Sequence, residues 1–125
     1  MSDSDEDVLR FIAASFPSVW ALEVLLTLKG ESRAWALAEL VTSLRASDLV
    51  VSKAIDALLA AGLVSVEEDD VVYLPVNREV SDCVERVEQL YRTRPNMVRR
   101  AIISASRSSA SAFAEAFRLR RNEGD

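Results

Sequence analysis

The stretch from Ser47 to Val64, Ser-Asp-Leu-Val-Val-Ser-Lys-Ala-Ile-Asp-Ala-Leu-Leu-Ala-Ala-Gly-Leu-Val, constrains the fold more than any other part of the chain. Val51, Ala54, Ile55, Leu58 and Leu59 recur at the i, i+3, i+4, i+7, i+8 spacing of one apolar helical stripe. Ser47 is suited to the N-cap and Asp48 to the positive end of the helix dipole. Gly62 can take the left-handed conformation that ends a helix. The spacing therefore predicts a capped amphipathic helix over 47–61, a stop, and the start of a strand.

On either side the periodicity is just as directive. Val8 to Phe16 reads as a short helix, preceded by an acidic tail over 1–7 that is expected to be disordered. Val19 to Lys29 reads as a second helix ending at Gly30, apolar almost all round and hence central to the core. A core role is expected for Trp20 and a packing role for Trp35. A third helix is expected to start at Trp35 or Ala36 and run to Leu44. It hands over to Ser47 through a very short connection, as two helices joined by a tight turn.

After Gly62 the period changes to that of strands. Val64, Val66, Val71, Val72, Tyr73, Leu74 and Val76 are β-branched, aromatic or otherwise apolar, and Glu67-Glu68-Asp69-Asp70 lies between them as a hairpin tip. That tip lacks glycine, so a longer or looser turn is expected. Asn77 then caps a helix whose stripe is Val80, Cys83, Val84, Val87, Leu90 and Tyr91. Pro95 can open a last helix carrying Val98, Ile102, Ala105, Ser109, Phe113 and Phe117. Its serine- and alanine-rich middle, Ser104 to Ala112, also admits a flexible-linker reading. Helix is preferred, because alanine propagates helix and Phe113 and Phe117 pair at i, i+4.

Composition narrows the chemistry. Of 125 residues half are hydrophobic and 28% are charged, with a net charge of −5, as in a globular protein with one core. There is no histidine, and Cys83 is the single cysteine, so a histidine-assisted nucleophile is excluded and a zinc site disfavoured, while a carboxylate-only magnesium or calcium site stays open. No glycine-rich phosphate loop is present, and the acidic pairs sit at an exposed tip rather than in a shielded pocket. No enzyme, cofactor or metal is expected. No apolar run is long enough to cross a bilayer and the start is acidic, so a cytoplasmic protein with no membrane partner is expected.

Assembled in this order, the chain is similar to MarR-like winged-helix transcriptional regulators of bacteria over roughly Pro17 to Val76. Leu37-Ala38-Glu39-Leu40, the Ser47 to Lys53 segment and Ala61-Gly62-Leu63-Val64 carry the resemblance. It implies a mainly α winged helix-turn-helix with a two-stranded β wing and a C-terminal helical extension. The winged-helix domain would span 8–92, a C-terminal helix for dimerisation or partner contact 93–121, and a tail 122–125. The resemblance further implies DNA binding, with contacts from Arg45, Ser47, Val50, Ser52, Lys53 and Arg78, and a homodimer. Dimer or partner contacts would fall to Val98, Arg99, Arg100, Ile102, Phe113 and Phe117.

The charge distribution departs from that pattern. From Arg45 to Val76 there are two cations, Arg45 and Lys53, against six anions, a net of −4. From Arg92 to Arg121 eight arginines face one acid, Glu115, a net of +7. Phosphate contacts supply much of the affinity of DNA-binding proteins, so an acidic wing should weaken it. The alternative reading is a winged helix used for protein–protein contact, with the basic C-terminal helix docking an acidic protein partner.

Overall fold

In the computed structural model, residues 2–106 are described, with side chains from Asp5 onward. The elements follow in the order α1 (Ser2–Ser15), α2 (Val19–Gly30), β1 (Trp35–Ala36), α3 (Leu37–Leu44), α4 (Asp48–Ala60), β2 (Val64–Glu67), β3 (Asp70–Tyr73) and α5 (Arg78–Thr93). A further helix, α6, occupies 95–106, after a one-residue break at Arg94 and with Pro95 as its first residue. The described chain is thus mainly helical, with one small three-stranded antiparallel sheet.

The core is organised around α2. Ala21, Leu22, Val24, Leu25 and Leu28 are buried on it, and α4, α3 and β3 pack against it. Ser18 caps the helix by accepting the Ala21 N–H at 3.2 Å. Trp20 departs from its expected core role: it is 41% exposed, because its side of α2 is not covered by another helix. Helix α1 meets α2 at 104° and contributes Val8, Ile12 and Phe16 to the core. It also reaches back to Ser2, through the stretch expected to be a tail. The acids Asp5, Glu6 and Asp7 lie in its N-terminal half, where the helix dipole favours negative charge.

Two expectations about the β elements are corrected. Trp35 and Ala36 do not open α3 but form β1, which pairs with β3 in the register Trp35↔Val71 and Ala36↔Asp70, so the sheet has three strands in the order β1-β3-β2. Burial explains it: Trp35 and Val71 are 6% and 3% exposed, and a large ring held on a strand reaches the core. The hairpin is also tighter than expected. Glu67 pairs with Asp70, leaving Glu68 and Asp69 as a two-residue connection. Glu68 supplies the left-handed backbone, φ 57°, that a glycine would ordinarily provide.

The ends of α4 follow the sequence signals closely. Ser47 accepts the Val50 N–H at 3.2 Å. At the far end Gly62, φ 75°, allows its own N–H to reach the Leu59 carbonyl and the Leu63 N–H to reach that of Leu58, the reversed pair of bonds that closes a helix. Val51, Ala54, Ile55 and Leu58 are buried as the stripe requires, whereas Leu59 is 47% exposed at its edge.

Helices α5 and α6 close the other side. Asn77 caps α5 through the Val80 N–H, at 2.9 Å. Lys29 on α2 and Glu88 on α5 form a half-buried ion pair at 2.8 Å, and the Tyr91 hydroxyl donates to Glu23. Burial and the Glu23 carboxylate hold the Tyr91 hydroxyl above its ordinary pKa. Val98 and Ile102 on α6 are buried within this one chain, at 0% and 1% exposure.

Candidate nucleic-acid interface

With its stripe turned inward, α4 leaves Leu49, Ser52, Lys53, Asp56 and Ala60 exposed along one outer line at helical spacing. No other described element buries these residues, although Ala60 at the end of the line borders a cleft shared with α1 and α6. It is flanked at its start by the turn Arg45-Ala46 and at its end by Gly62 and the hairpin.

The residues expected to contact DNA divide among three environments. Ser52 and Lys53 are exposed on the outer line, and Arg45 is exposed at the turn. Ser47 is exposed as well, but its Oγ is engaged in capping. Val50 is half-buried between the outer line and the core stripe, so it is not a free reading position. Arg78 is exposed at the first turn of α5. The segment leading to it is held at the far end of α4, where the Val76 N–H donates to the Gly62 carbonyl at 2.8 Å. Ser47 and Gly62 stand fifteen positions apart along the helix, roughly 22 Å, so Arg78 lies away from Arg45 and Ser47 rather than beside them.

Arg45 carries a conformational cost. Its backbone is left-handed, φ 54°, and the Ala46 N–H reaches back to the Val41 carbonyl at 3.2 Å, the same closure that Gly62 gives α4. Glycine is the residue that adopts this conformation freely. An arginine there keeps a cation at the head of the outer line at the expense of local strain.

Leu49 and Asp56 belong to the outer line and were not among the expected contacts. Leu49 is 64% exposed. Subtracting the apolar stripe from the helical wheel of α4 would have found both. Arg33, just before β1, is a cation at the start of α3. Its guanidinium sits 3.9 Å above the Trp35 ring and pairs with Glu39 at 3.1 Å. Glu39 in turn accepts the Ala36 N–H at 2.9 Å, fastening the start of α3. The Arg33 bond and that N–H hold the Glu39 carboxyl below its ordinary pKa, and the Glu39 bond raises Arg33 above its own.

Electrostatically the surface is mixed. Lys53 and Asp56 alternate on the outer line, and Glu67, Glu68 and Asp69 are exposed at the hairpin tip with Asp70 half-buried. Among the described residues, no group of three or more histidine, cysteine or acidic side chains could hold a metal ion. No single described helix is long and apolar enough to cross a membrane.

The expected dimer or partner contacts divide too. Val98 and Ile102 are corrected to core positions of their own chain, since α6 turns its apolar face inward against it. Arg99 and Arg100 are exposed, with Arg99 5.5 Å from the Tyr91 ring centroid. Phe113 and Phe117, and the tail over 122–125, lie outside the described residues. No protein-family model matches the chain, and no curated protein matches it.

Proposed function

We propose that the chain is a winged-helix DNA-binding transcriptional regulator, with α4 as the reading helix and the β2–β3 hairpin as its wing. The observation that carries this reading is the uncovered outer line of α4, set between a cationic turn and the hairpin. A helix that exposes one full face beyond its core stripe has the shape needed to enter a major groove. Ser52 and Lys53 are the side chains on that line able to donate to bases or phosphates, with Arg45 placed for backbone contact.

The acidic hairpin limits the strength of the interaction. Four carboxylates near the phosphate backbone oppose binding, so affinity should be modest and confined to low salt. Fluorescence anisotropy on mixed duplex fragments tests the reading directly. Binding is expected at low salt, and Lys53→Ala should weaken it while lowering the salt slope by about 1. Neutralising Glu67, Glu68, Asp69 and Asp70 to their amides should strengthen it. Absence of any binding at low salt would overturn the DNA reading.

A second reading has its own support. Leu49 and Leu59 are 64% and 47% exposed on α4, the helix that leads into the acidic hairpin. Exposed leucines on a helix that runs into one-signed charge also suit a protein partner bearing a basic, amphipathic surface. A folded chain that fails to bind duplex DNA at low salt would favour this interaction-module reading.

A further inference from the structure

Two clefts, of about 420 and 390 Å³, share Glu23 as a wall. The larger lies between α2 and the end of α3, lined by Val19, Trp20, Ser43 and Leu44. The smaller lies between α2, α5 and α6, with Leu26, Tyr91 and Arg99 among its walls. Trp20, 41% exposed, stands one turn from Glu23 on the same face of α2. The chain's other tryptophan is used internally: Trp35 is buried, donates its indole N–H to the Glu31 carbonyl at 3.0 Å and carries Arg33 on its ring.

Where the clefts meet, opposite charges are held apart instead of paired. The Tyr91 hydroxyl donates to one oxygen of Glu23, and the Arg99 guanidinium lies 5.5 Å from the Tyr91 ring centroid. Among the described residues neither Glu23 nor Arg99 forms an ion pair. Burial and then Glu23 raise the Tyr91 pKa while Arg99 opposes them, so both charges act on this one hydroxyl. Tyr91 thus stands between an anion and a cation that line the same cleft.

We propose that the joined clefts bind a zwitterionic α-amino acid with a large apolar side chain. Its ammonium group pairs with Glu23, its carboxylate with Arg99, and its side chain lies against Trp20, Val19 and Leu44. Charge complementarity selects this class of ligand. A plain cation leaves Arg99 unanswered, and a plain anion is opposed by Glu23. An α-amino acid carries both charges and its apolar group on one carbon atom. The exposed indole supplies the flat apolar surface against which that group packs. Ser43 and Leu44 end α3 just before the left-handed Arg45, so the bound side chain touches the turn that leads into α4. The inference holds whichever partner α4 takes.

Proton–nitrogen NMR of the full-length protein, titrated with L-phenylalanine, tests it. The Trp20 indole and the Leu44 amide should shift saturably, with a dissociation constant of about 1 mM, while the Trp35 indole stays in place. On the same wild-type protein, phenethylamine lacks the carboxylate and 3-phenylpropanoate lacks the ammonium group. Each should bind at least about fivefold more weakly. Glu23→Gln and Arg99→Gln should weaken phenylalanine binding by a similar factor, with the unmoved Trp35 indole reporting an intact fold. An absent Trp20 shift, an equal shift at Trp35, or undiminished binding in both variants would overturn the proposal. So would either analogue binding as tightly as phenylalanine, by assigning the site to a single charge.

Discussion

Two helix ends in this chain adopt the same backbone with opposite residues. Helix α4 ends through Gly62 at φ 75°, and α3 ends through Arg45 at φ 54°. Each is followed by a residue whose N–H reaches five residues back, Leu63 to Leu58 at 3.0 Å and Ala46 to Val41 at 3.2 Å. At Gly62 two things favour glycine. Its φ disfavours any side chain, and an added Cβ would lie 3.2 Å from the Val76 Cγ1. Arg45 is exposed, so only the conformational cost applies. The difference teaches that Gly62 combines a conformational preference with a close neighbour, whereas Arg45 is held against local preference alone.

The largest expected effect breaks the packed end. Gly62→Ala should destabilise the fold by about 2 kcal/mol, combining left-handed strain with crowding against Val76. Urea unfolding would measure it. Repeating the substitution with Val76→Gly, which removes both the Cγ1 and the Cβ that crowd the added atom, should return the part due to crowding and leave about 1 kcal/mol of strain. Equal losses in both backgrounds would show that Val76 does not constrain the turn.

The second effect is smaller and of opposite sign. Arg45→Gly should stabilise the protein by about 0.5 kcal/mol, the relief of strain less the extra freedom glycine gives the unfolded chain. The same variant should bind duplex DNA more weakly if the cation contacts phosphate. A gain in urea midpoint together with a loss in anisotropy would separate the two roles. Weaker folding would mean that Arg45 holds the turn by a contact of its side chain.

Local signals made much of this architecture legible. Ser18, Ser47 and Asn77 could be assigned as caps or punctuation because a cap depends on residues within one turn, and Gly62 because a helix stop is equally local. What the sequence did not disclose depends on distant partners. Trp35 and Ala36 carry no strand signature by themselves, and they become β1 only because β3 offers Val71 and Asp70 across the chain. Trp20 follows an apolar helix pattern yet stays exposed, since periodicity says which residues share a face but not which faces will be covered. Val98 and Ile102 show the converse: an apolar stripe suited to a partner helix is spent on the chain's own core. At the surface of α4, the exposure of Ser52 and Lys53 could be read from the helical stripe, as could that of Leu49, whereas the end of α4 that the segment before Arg78 joins is set by a hydrogen bond to Gly62 that no local pattern encodes.

The smallest expected effect concerns the other end of α3, which is fastened by charge instead of by a left-handed residue. Glu39 accepts the Ala36 N–H and binds Arg33, and both interactions lower its pKa below the ordinary 4.5. A carboxyl depressed on folding contributes stability that is fully present above the unfolded value and is lost as pH falls through the folded one. The acid limb of the stability curve should therefore begin below pH 4.5 and be shallower in Glu39→Gln, which cannot titrate. The pair is exposed, so solvent screening keeps the effect small, and added salt should shrink it further. Urea melts on either side of that pH, for wild type and Glu39→Gln, would resolve it. Identical acid limbs would show that Arg33 is held by its stacking on Trp35, 3.9 Å away, and that the start of α3 draws nothing from the charge.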